Sequence, residues 1–358
     1  MSVQKVSAAG TSIWLDDLSR AKITSTEAHA LPARISNSGV VGVTTNPSIF
    51  SAAISGAAEY AADIAAMKSA PVDEVVKKLT TDDVRQACDL FTSLYQTTHG
   101  VDGRVSIEVD PRLAHDTEGT IAAGKELWSI IDRPNVMIKV PATLEGLPAI
   151  TALIAAGISV NVTLIFSVKR YGQVIEAYMK GIEQCEDPTQ VHSVASFFIS
   201  RIDSSIDALL KKNASPEAAA LLGKAAIANA HLAYQLFEEK FASERWNALA
   251  SKGRNTSSRE LRRTSEVVGC SFACMICSRS ASPSSVYINT RSGRVSIRSH
   301  IVASCGATSL LRSLPKRTSR TSLLEYCLIK PDGEPSAIIA PLSITTRRSH
   351  SCSASSIK

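Results

Sequence analysis

The sequence contains no apolar run approaching the roughly 18 to 20 residues that a membrane-spanning helix needs. Its first residues, MSVQKVSAAGTSIW, lack a basic stretch followed by an apolar one, so the pattern of a secretory signal is missing. Cysteine is scarce through residue 250, where only Cys88 and Cys185 occur. Two isolated thiols are typical of a reducing compartment. These absences predict a cytoplasmic protein that does not act in a membrane.

Charge and composition change near residue 250. Residues 251–358 contain 17 Lys+Arg and 5 Asp+Glu, a balance of +12, against 39 and 33 in the whole chain. Residues 1–250 therefore contain 22 and 28, a balance of −6. The later segment also holds 25 Ser, 13 Arg and six of the eight cysteines. We expect two regions, an α/β region over 1–250 and a Ser/Arg/Cys-rich region over 251–358 that is irregular or disordered.

Three interpretations of residues 251–358 are open. The segment is a basic tail that binds RNA or another polyanion, a small metal-binding module, or the product of an altered reading frame, which would leave the enzyme inactive. The second rests on Cys270, Cys274 and Cys277, whose C-x3-C-x2-C spacing is used for iron–sulfur clusters. Nucleic-acid binding is disfavoured because only Phe272, Tyr287 and Tyr326 could stack on bases. The altered frame is favoured because the segment shows none of the strand and helix alternation that precedes it.

Residues 1–250 alternate β-rich runs with helical stretches, which is typical of βα units and a parallel sheet. Six such units are recognisable, and no credible seventh or eighth strand follows residue 250. The expected fold is a TIM-type (β/α)8 barrel that is incomplete, with its first and last strands left as unpaired edges. The predicted strands cover residues 12–18, 40–45, 105–109, 136–140, 159–165 and 193–199.

Polar residues recur on one face of three predicted strands. Side chains alternate along a strand, so VSIEV places Glu108 opposite its valines, and VMIKV does the same with Lys139. In SVNVTLI the apolar set is Val160, Val162 and Leu164, which leaves Asn161 and Thr163 on the polar face. If the apolar faces meet the helices, these polar groups converge in one lumen near the carboxyl ends of the strands, where barrel enzymes carry out chemistry.

Lys139 is therefore a candidate Schiff-base nucleophile, because desolvation lowers the pKa of a lysine and favours its neutral amine. The residues around it have simpler interpretations that the pattern leaves open. Glu108 could be an ion-pair partner without a role in proton transfer. Asn161 and Thr163 could be structural hydrogen-bonding groups in a packed lumen.

Two long segments carry a family resemblance. GVTTNPSIF, residues 42–50, resembles the transaldolase signature around the second strand, and VMIKVPATLEGLPAITAL, residues 136–153, is similar to the active-site signature of that family. NVTLIFS follows downstream in family order. The resemblance covers residues 1 to about 250. It implies that Lys139 is the Schiff-base lysine.

The resemblance also implies roles for seven further residues. Asp16 corresponds to the first-strand aspartate of proton transfer, with Asp17 as an open alternative. Glu108 and Thr163 correspond to a pair that acts through a bound water. The residues implied to contact the substrate are Asn46, Asn161 and Ser196, with Arg201 on its phosphate.

The implied activity is transfer of a dihydroxyacetone unit between sugar phosphates, from sedoheptulose 7-phosphate to glyceraldehyde 3-phosphate, in the non-oxidative pentose phosphate pathway. The implied reaction needs no metal and no organic cofactor, and sugar phosphates are the only partners that the resemblance implies. No nucleic-acid partner is expected, and the sequence specifies no oligomeric state. The alternative enzyme is a fructose 6-phosphate aldolase-like protein, which would release its three-carbon product instead of holding it for transfer.

Overall fold

The computed structural model describes residues 11–213, 215–254, 269–276 and 285–290. All of them belong to one unit, residues 1–306. Side chains are described for residues 12–213 and 215–251. Among the described residues, no helix is both long and apolar enough to cross a bilayer.

Eight strands form a closed barrel in chain order. The first six are parallel to one another, as expected from the six βα units. The seventh is parallel to the sixth, and the eighth runs antiparallel to both the seventh and the first. The strands are β1 (Thr11–Asp16), β2 (Val40–Thr44), β3 (Arg104–Glu108), β4 (Val136–Pro141), β5 (Val160–Ile165), β6 (His192–Phe198), β7 (Gly269–Ile276) and β8 (Ser285–Thr290).

Helices connect the parallel strands and surround the barrel. They are α1 (Arg20–Thr24), α2 (Leu31–Ser38), α3 (Pro47–Ile54), α4 (Ala61–Ala66), α5 (Val72–Leu90), α6 (Thr92–Thr97), α7 (Thr117–Ile131), α8 (Gly146–Ala155), α9 (Val168–Gln184), α10 (Ser200–Asn213), α11 (Pro216–Ala220), α12 (Ala225–Lys240) and α13 (Glu244–Arg254). Short 3-10 segments cover Ala58–Tyr60, Pro111–Leu113 and Pro188–Gln190.

The edges of the barrel differ from the expectation of unpaired first and sixth strands. Along β1, every residue from Thr11 to Asp16 pairs with β8, and β6 pairs along its whole length with β7. β7 and β8 were not recognised in the sequence because they lie in the Ser/Arg-rich segment. Since β8 is antiparallel to β7, the pair also lacks the strand–helix–strand order of a βα unit. The expectation of open edges was therefore wrong, whereas the count of six βα units holds.

The apolar faces of the strands pack against the helices, as the alternation predicts. Val105, Ile107, Val136, Ile138 and Val140 belong to one large core that also includes apolar residues of α5, α7, α8 and α9. Burial of such side chains contributes about 1.5 to 3 kcal/mol each. A second, smaller cluster on the opposite faces fills the barrel interior with Trp14, Met137, Val194 and Phe198.

One predicted helix-facing residue lies elsewhere. Leu164 has φ 59° and is 38% exposed. The pairing of β5 with β6 is irregular between Val162 and Ile165, so Ile165 takes the buried position that the alternation assigned to Leu164. An irregularity of this kind changes the side to which the following residues point.

Candidate active site

Lys139 lies inside the barrel near the carboxyl end of β4 and is 2% exposed. Its Nζ donates to the carbonyl oxygen of Thr45 at 3.0 Å and lies 3.4 Å from Glu108 Oε2. Strand pairing places the same three strands side by side, with Glu108 opposite Lys139 and Lys139 opposite Asn161. The predicted convergence of these three residues in one lumen is therefore observed.

Glu108 has a raised pKa. Burial of the carboxyl group is the largest cause, and the nearby Lys139 opposes it by charge attraction and hydrogen bonding. Desolvation disfavours the charged form of an acid, while a neighbouring cation favours it. As a result, the pKa of Glu108 lies closer to neutral pH than the pKa of an exposed glutamate. Such a pKa suits a group that exchanges protons.

The carbonyl that receives the Lys139 amine is fixed by hydrogen bonds to β3. Thr45 donates to the Ser106 carbonyl oxygen through its main-chain nitrogen at 3.2 Å and through its Oγ1 at 2.8 Å. Two donors on one residue restrict the rotation of the peptide that follows β2. The lysine therefore contacts a carbonyl whose direction is set by the sheet.

Asn161 and Ser196 contact each other directly. Ser196 Oγ donates to Asn161 Oδ1 at 2.7 Å, and Asn161 Nδ2 donates to Ser106 Oγ at 3.0 Å. All three residues are fully buried and come from β3, β5 and β6. The structure thus brings two predicted substrate-contacting residues together and adds Ser106 to them.

Thr163 lies two residues after Asn161, on the same side of β5, and is buried. Its Oγ1 makes no hydrogen bond within the part of the chain that the structure describes. A buried hydroxyl without a partner costs about 1 to 3 kcal/mol, so such a group in a native site calls for a ligand or an ordered water. The binding of a water by Thr163 stays a prediction.

Asp16 and Asp17 are separated by the end of β1. Asp16 is the last residue of the strand and is buried. Asp17 forms an ion pair with Lys22 on α1. Alternation along the strand places Asp16 on the same side as Trp14, which lies in the barrel interior. The structure therefore separates the two alternatives by side, with Asp16 facing the lumen and Asp17 engaged by a helix.

Gly42 within β2 and Asn46 just after it have defined contacts. A Cβ on Gly42 would lie 2.5 Å from Trp14 Cε2, so only glycine allows the indole ring to lie across β2. Asn46 caps α3, with its Oδ1 accepting from the main-chain nitrogen of Ile49 at 2.9 Å. The predicted contact of Asn46 with a ligand would then involve its Nδ2.

Arg201 lies at the start of α10, directly after β6, and is exposed. Its guanidinium lies 5.3 Å from the centre of the Phe198 ring. With Phe166, Ile202, Ser205 and Ile206 it lines a cleft of about 400 Å³. Among the described residues no ion pair joins Arg201 to a carboxylate, so a phosphate could approach it.

The cysteine motif of the later segment lies partly in β7. Cys270 and Cys274 are both in this strand, while Cys277 lies outside the described residues. Positions four apart in an extended strand are separated by about 13 Å, which is too far for two ligands of one metal ion. Elsewhere in the described residues, no group of three His, Cys, Asp or Glu side chains is arranged to hold a metal.

Two contributors to the site were missed from the sequence. The Thr45 carbonyl is a main-chain group, and no sequence pattern reveals which side chain will reach it. Ser106 did give a signal, because it shares the polar face of β3 with Glu108, but a serine between valine and isoleucine has no distinctive chemistry.

The chain is similar to a family model and to several named proteins. Residues 13–276 match the family model described as Transaldolase/Fructose-6-phosphate aldolase. The chain is 56% identical over 258 residues to Transaldolase 1 of Streptomyces avermitilis. The matched segment covers 70% of this chain and 68% of that protein. It is 56% identical over 254 residues to Transaldolase of Mycolicibacterium smegmatis, covering 69% and 68%. The match to Transaldolase of an Arthrobacter species is 56% over 256 residues, covering 70% and 68%.

Proposed function

This chain belongs to the transaldolase/fructose-6-phosphate aldolase family, and on that premise we propose that it transfers a dihydroxyacetone unit between sugar phosphates through a Schiff base on Lys139. The proposed donor is sedoheptulose 7-phosphate and the proposed acceptor is glyceraldehyde 3-phosphate, giving erythrose 4-phosphate and fructose 6-phosphate. This chemistry belongs to the non-oxidative pentose phosphate pathway, which fits the cytoplasmic setting predicted from the sequence.

The observation that carries the proposal is the buried Lys139 amine between the Thr45 carbonyl and the Glu108 carboxyl group. To form a carbon–nitrogen bond, a lysine must react as its neutral amine. Glu108 is proposed to accept a proton from the amine, and its raised pKa makes its carboxylate a stronger base than that of an exposed glutamate. This arrangement supports the proposed proton transfers of imine formation.

The proposed reaction begins with attack of the Lys139 amine on the ketose carbonyl carbon. The carbinolamine loses its hydroxyl as water, with protons passing through Glu108 and a water held at the Thr163 hydroxyl. Asp16 then accepts the proton of the C4 hydroxyl as the C3–C4 bond breaks, and the electron pair moves into the iminium. The first aldose phosphate leaves, and a three-carbon enamine stays on Lys139.

The enamine carbon then attacks the acceptor aldehyde, and Asp16 returns its proton to the new hydroxyl. Hydrolysis of the iminium releases the product ketose and restores Lys139. Asn46, Asn161 and Ser196 are proposed to bind the sugar hydroxyls. Arg201 is proposed to bind the phosphate, because a planar guanidinium pairs with two phosphate oxygens at once.

A second activity is favoured by the family description, which names fructose 6-phosphate aldolase beside transaldolase. An aldolase would hydrolyse the three-carbon intermediate and release free dihydroxyacetone. Adding an acceptor aldehyde separates the two. A transaldolase should consume fructose 6-phosphate quickly only when erythrose 4-phosphate is present, whereas an aldolase should consume it at the same rate without the acceptor.

Borohydride trapping tests the proposed attachment point. We expect the full-length chain, incubated with fructose 6-phosphate and borohydride, to carry a three-carbon adduct on Lys139. Lys139→Met should carry none, and Glu108→Gln should form the adduct more slowly but at the same residue. Lys22→Met is a matched control, because the Lys22 amine forms an ion pair with Asp17 and not with Glu108. Peptide mapping that places the label on another lysine would disprove the assignment.

A further inference from the structure

A row of side-chain hydrogen bonds crosses the barrel beside Lys139. It runs from Ser196 on β6 to the Asn161 carboxamide on β5 and ends at Ser106 Oγ on β3. The three side chains are fully buried. Polar side chains without access to water need partners inside the protein, and here each serine satisfies one end of the amide.

This row leaves a defined part of Asn161 available. Its Oδ1 accepts from Ser196, and one hydrogen of Nδ2 goes to Ser106. No other hydrogen bond of the Asn161 side chain is found within the described residues. The second Nδ2 hydrogen therefore stays available to a ligand. Because both ends of the carboxamide are held, the direction of this hydrogen is fixed before a ligand arrives.

Ser106 also supports the nucleophile through its main chain. Its carbonyl oxygen accepts both donors of Thr45, and the Thr45 carbonyl in turn accepts from Lys139 Nζ. Ser106 thus contacts Asn161 directly through its hydroxyl, and through its carbonyl it contacts Thr45, the residue that accepts from Lys139. The side chain and the main chain of Ser106 act on different partners, so a change of side chain can separate the two effects.

We propose that Ser106 is a positioning residue, whose hydroxyl holds the Asn161 carboxamide in the orientation that binds a hydroxyl of the ketose attached to Lys139. This inference rests on the proposed function for the identity of the ligand. The positioning itself is a property of the free protein and can be measured without turnover.

The first arm of the test follows the Asn161 side-chain amide by nuclear magnetic resonance in the full-length, ¹⁵N-labelled chain. The signal pair is assigned by its loss in Asn161→Ala. We expect slow hydrogen exchange of this amide in the unaltered protein and at least tenfold faster exchange in Ser106→Ala, by analogy with the roughly tenfold effect of one hydrogen bond. Ser193→Ala is the matched control, because Ser193 is a buried serine of β6 for which no side-chain hydrogen bond is found among the described residues.

The second arm measures fructose 6-phosphate kinetics. Ser106→Ala should raise KM about tenfold and change the trapping rate at saturating substrate less than about threefold, since the Thr45 and Lys139 contacts remain. In the Asn161→Ala background, Ser106→Ala should have no further effect on KM. Should Ser106→Ala be too unstable to study, Ser106→Cys, which keeps nearly the same volume, permits the same comparison.

Unchanged amide exchange in Ser106→Ala, or an effect on KM that persists without Asn161, would overturn the proposal. If the unaltered chain formed no adduct with fructose 6-phosphate, the proposed function would fail. The amide exchange would then still decide whether Ser106 positions Asn161.

Discussion

The barrel interior has two polar ends whose buried charges have different surroundings. At the carboxyl end of the strands, the Lys139 amine lies 3.4 Å from a carboxylate oxygen of Glu108. At the amino end, Arg104 is equally buried but donates to the Gly100 carbonyl at 2.6 Å and to Ser159 Oγ at 3.3 Å. No carboxylate within the described residues forms an ion pair with Arg104. Both ends are polar, and of the two buried cations Lys139 and Arg104 only Lys139 forms an ion pair with a carboxylate of the described residues.

The amino end also suppresses charge at a neighbouring histidine. Burial is the largest cause of the lowered pKa of His192, and the positive charge of Arg104 adds to it. Burial outweighs the raising effects of Tyr95 and Cys88 and lowers the pKa of Arg104 to about 10, so the guanidinium stays charged at neutral pH. Polar residues inside a barrel therefore do not by themselves identify its active site. A reactive site also needs a proton acceptor beside a group that can lose its proton.

The largest expected difference between the two ends is in catalysis. Lys139→Met should lower transfer activity by more than about 10⁴-fold, because no other group can form the intermediate. Arg104→Met should change kcat/KM less than about fivefold but lower the melting temperature, since the Gly100 carbonyl and Ser159 lose their donor at a cost of about 1 to 3 kcal/mol. Coupled assays and thermal unfolding of both variants measure these effects. A large loss of activity in Arg104→Met at unchanged stability would contradict the assignment of catalysis to the carboxyl end alone.

The next effect concerns which carboxylates belong to the reactive end. Asp16→Asn should slow transfer by about 10² to 10⁴-fold, the range for losing a general acid or base. Asp17→Asn should slow it less than about tenfold, because this carboxylate pairs with Lys22 on the helix side. Steady-state rates with sedoheptulose 7-phosphate compare the two. Equal losses of rate in the two variants would contradict the assignment of proton transfer to Asp16, the aspartate that faces the lumen.

The smallest effect is the acid sensitivity of the amino end. The folded-state pKa of His192 is depressed, so the unfolded chain binds a proton that the folded one does not. Stability from this residue is therefore fully present above about pH 6.5 and falls with decreasing pH, by up to about 1.4 kcal/mol per pH unit. His192→Asn should lose less stability than the unaltered chain between pH 7 and pH 5 in urea unfolding. His29→Asn, at an exposed position, is the control and should behave like the unaltered chain.

Much of the fold could be predicted because it depends on local order along the chain. The six predicted strands overlap β1 to β6, and most ends agree within two residues. The helix boundaries were less predictable. Residues 216–254 form three helices, α11, α12 and α13, with Gly223 at φ 70° between the first two. The chain turns there because glycine adopts a left-handed conformation without steric cost.

The later segment shows where sequence reasoning failed. Composition predicted that nothing after residue 250 would continue the sheet, yet β7 and β8 pair with β6 and β1. The family match also extends to residue 276, which includes β7. The composition of a segment describes its average capacity to pack into a core. A pair of strands needs only two short stretches of strand-forming residues and an unpaired edge of the sheet. The division of the chain into residues 1–250 and a non-native or disordered region over 251–358 stays a prediction.

The sequence by itself determined which side of each strand is polar, because the side-chain period of two is a property of the strand alone. That was enough to place Lys139, Glu108 and Asn161 in the lumen. The tertiary structure decided what each of them contacts, including the Thr45 carbonyl for Lys139 and Ser106 for Asn161. It also decided that Asp17 pairs with Lys22. These contacts depend on the register between neighbouring strands and on the path of the connecting helices, and both are set by packing of the whole barrel.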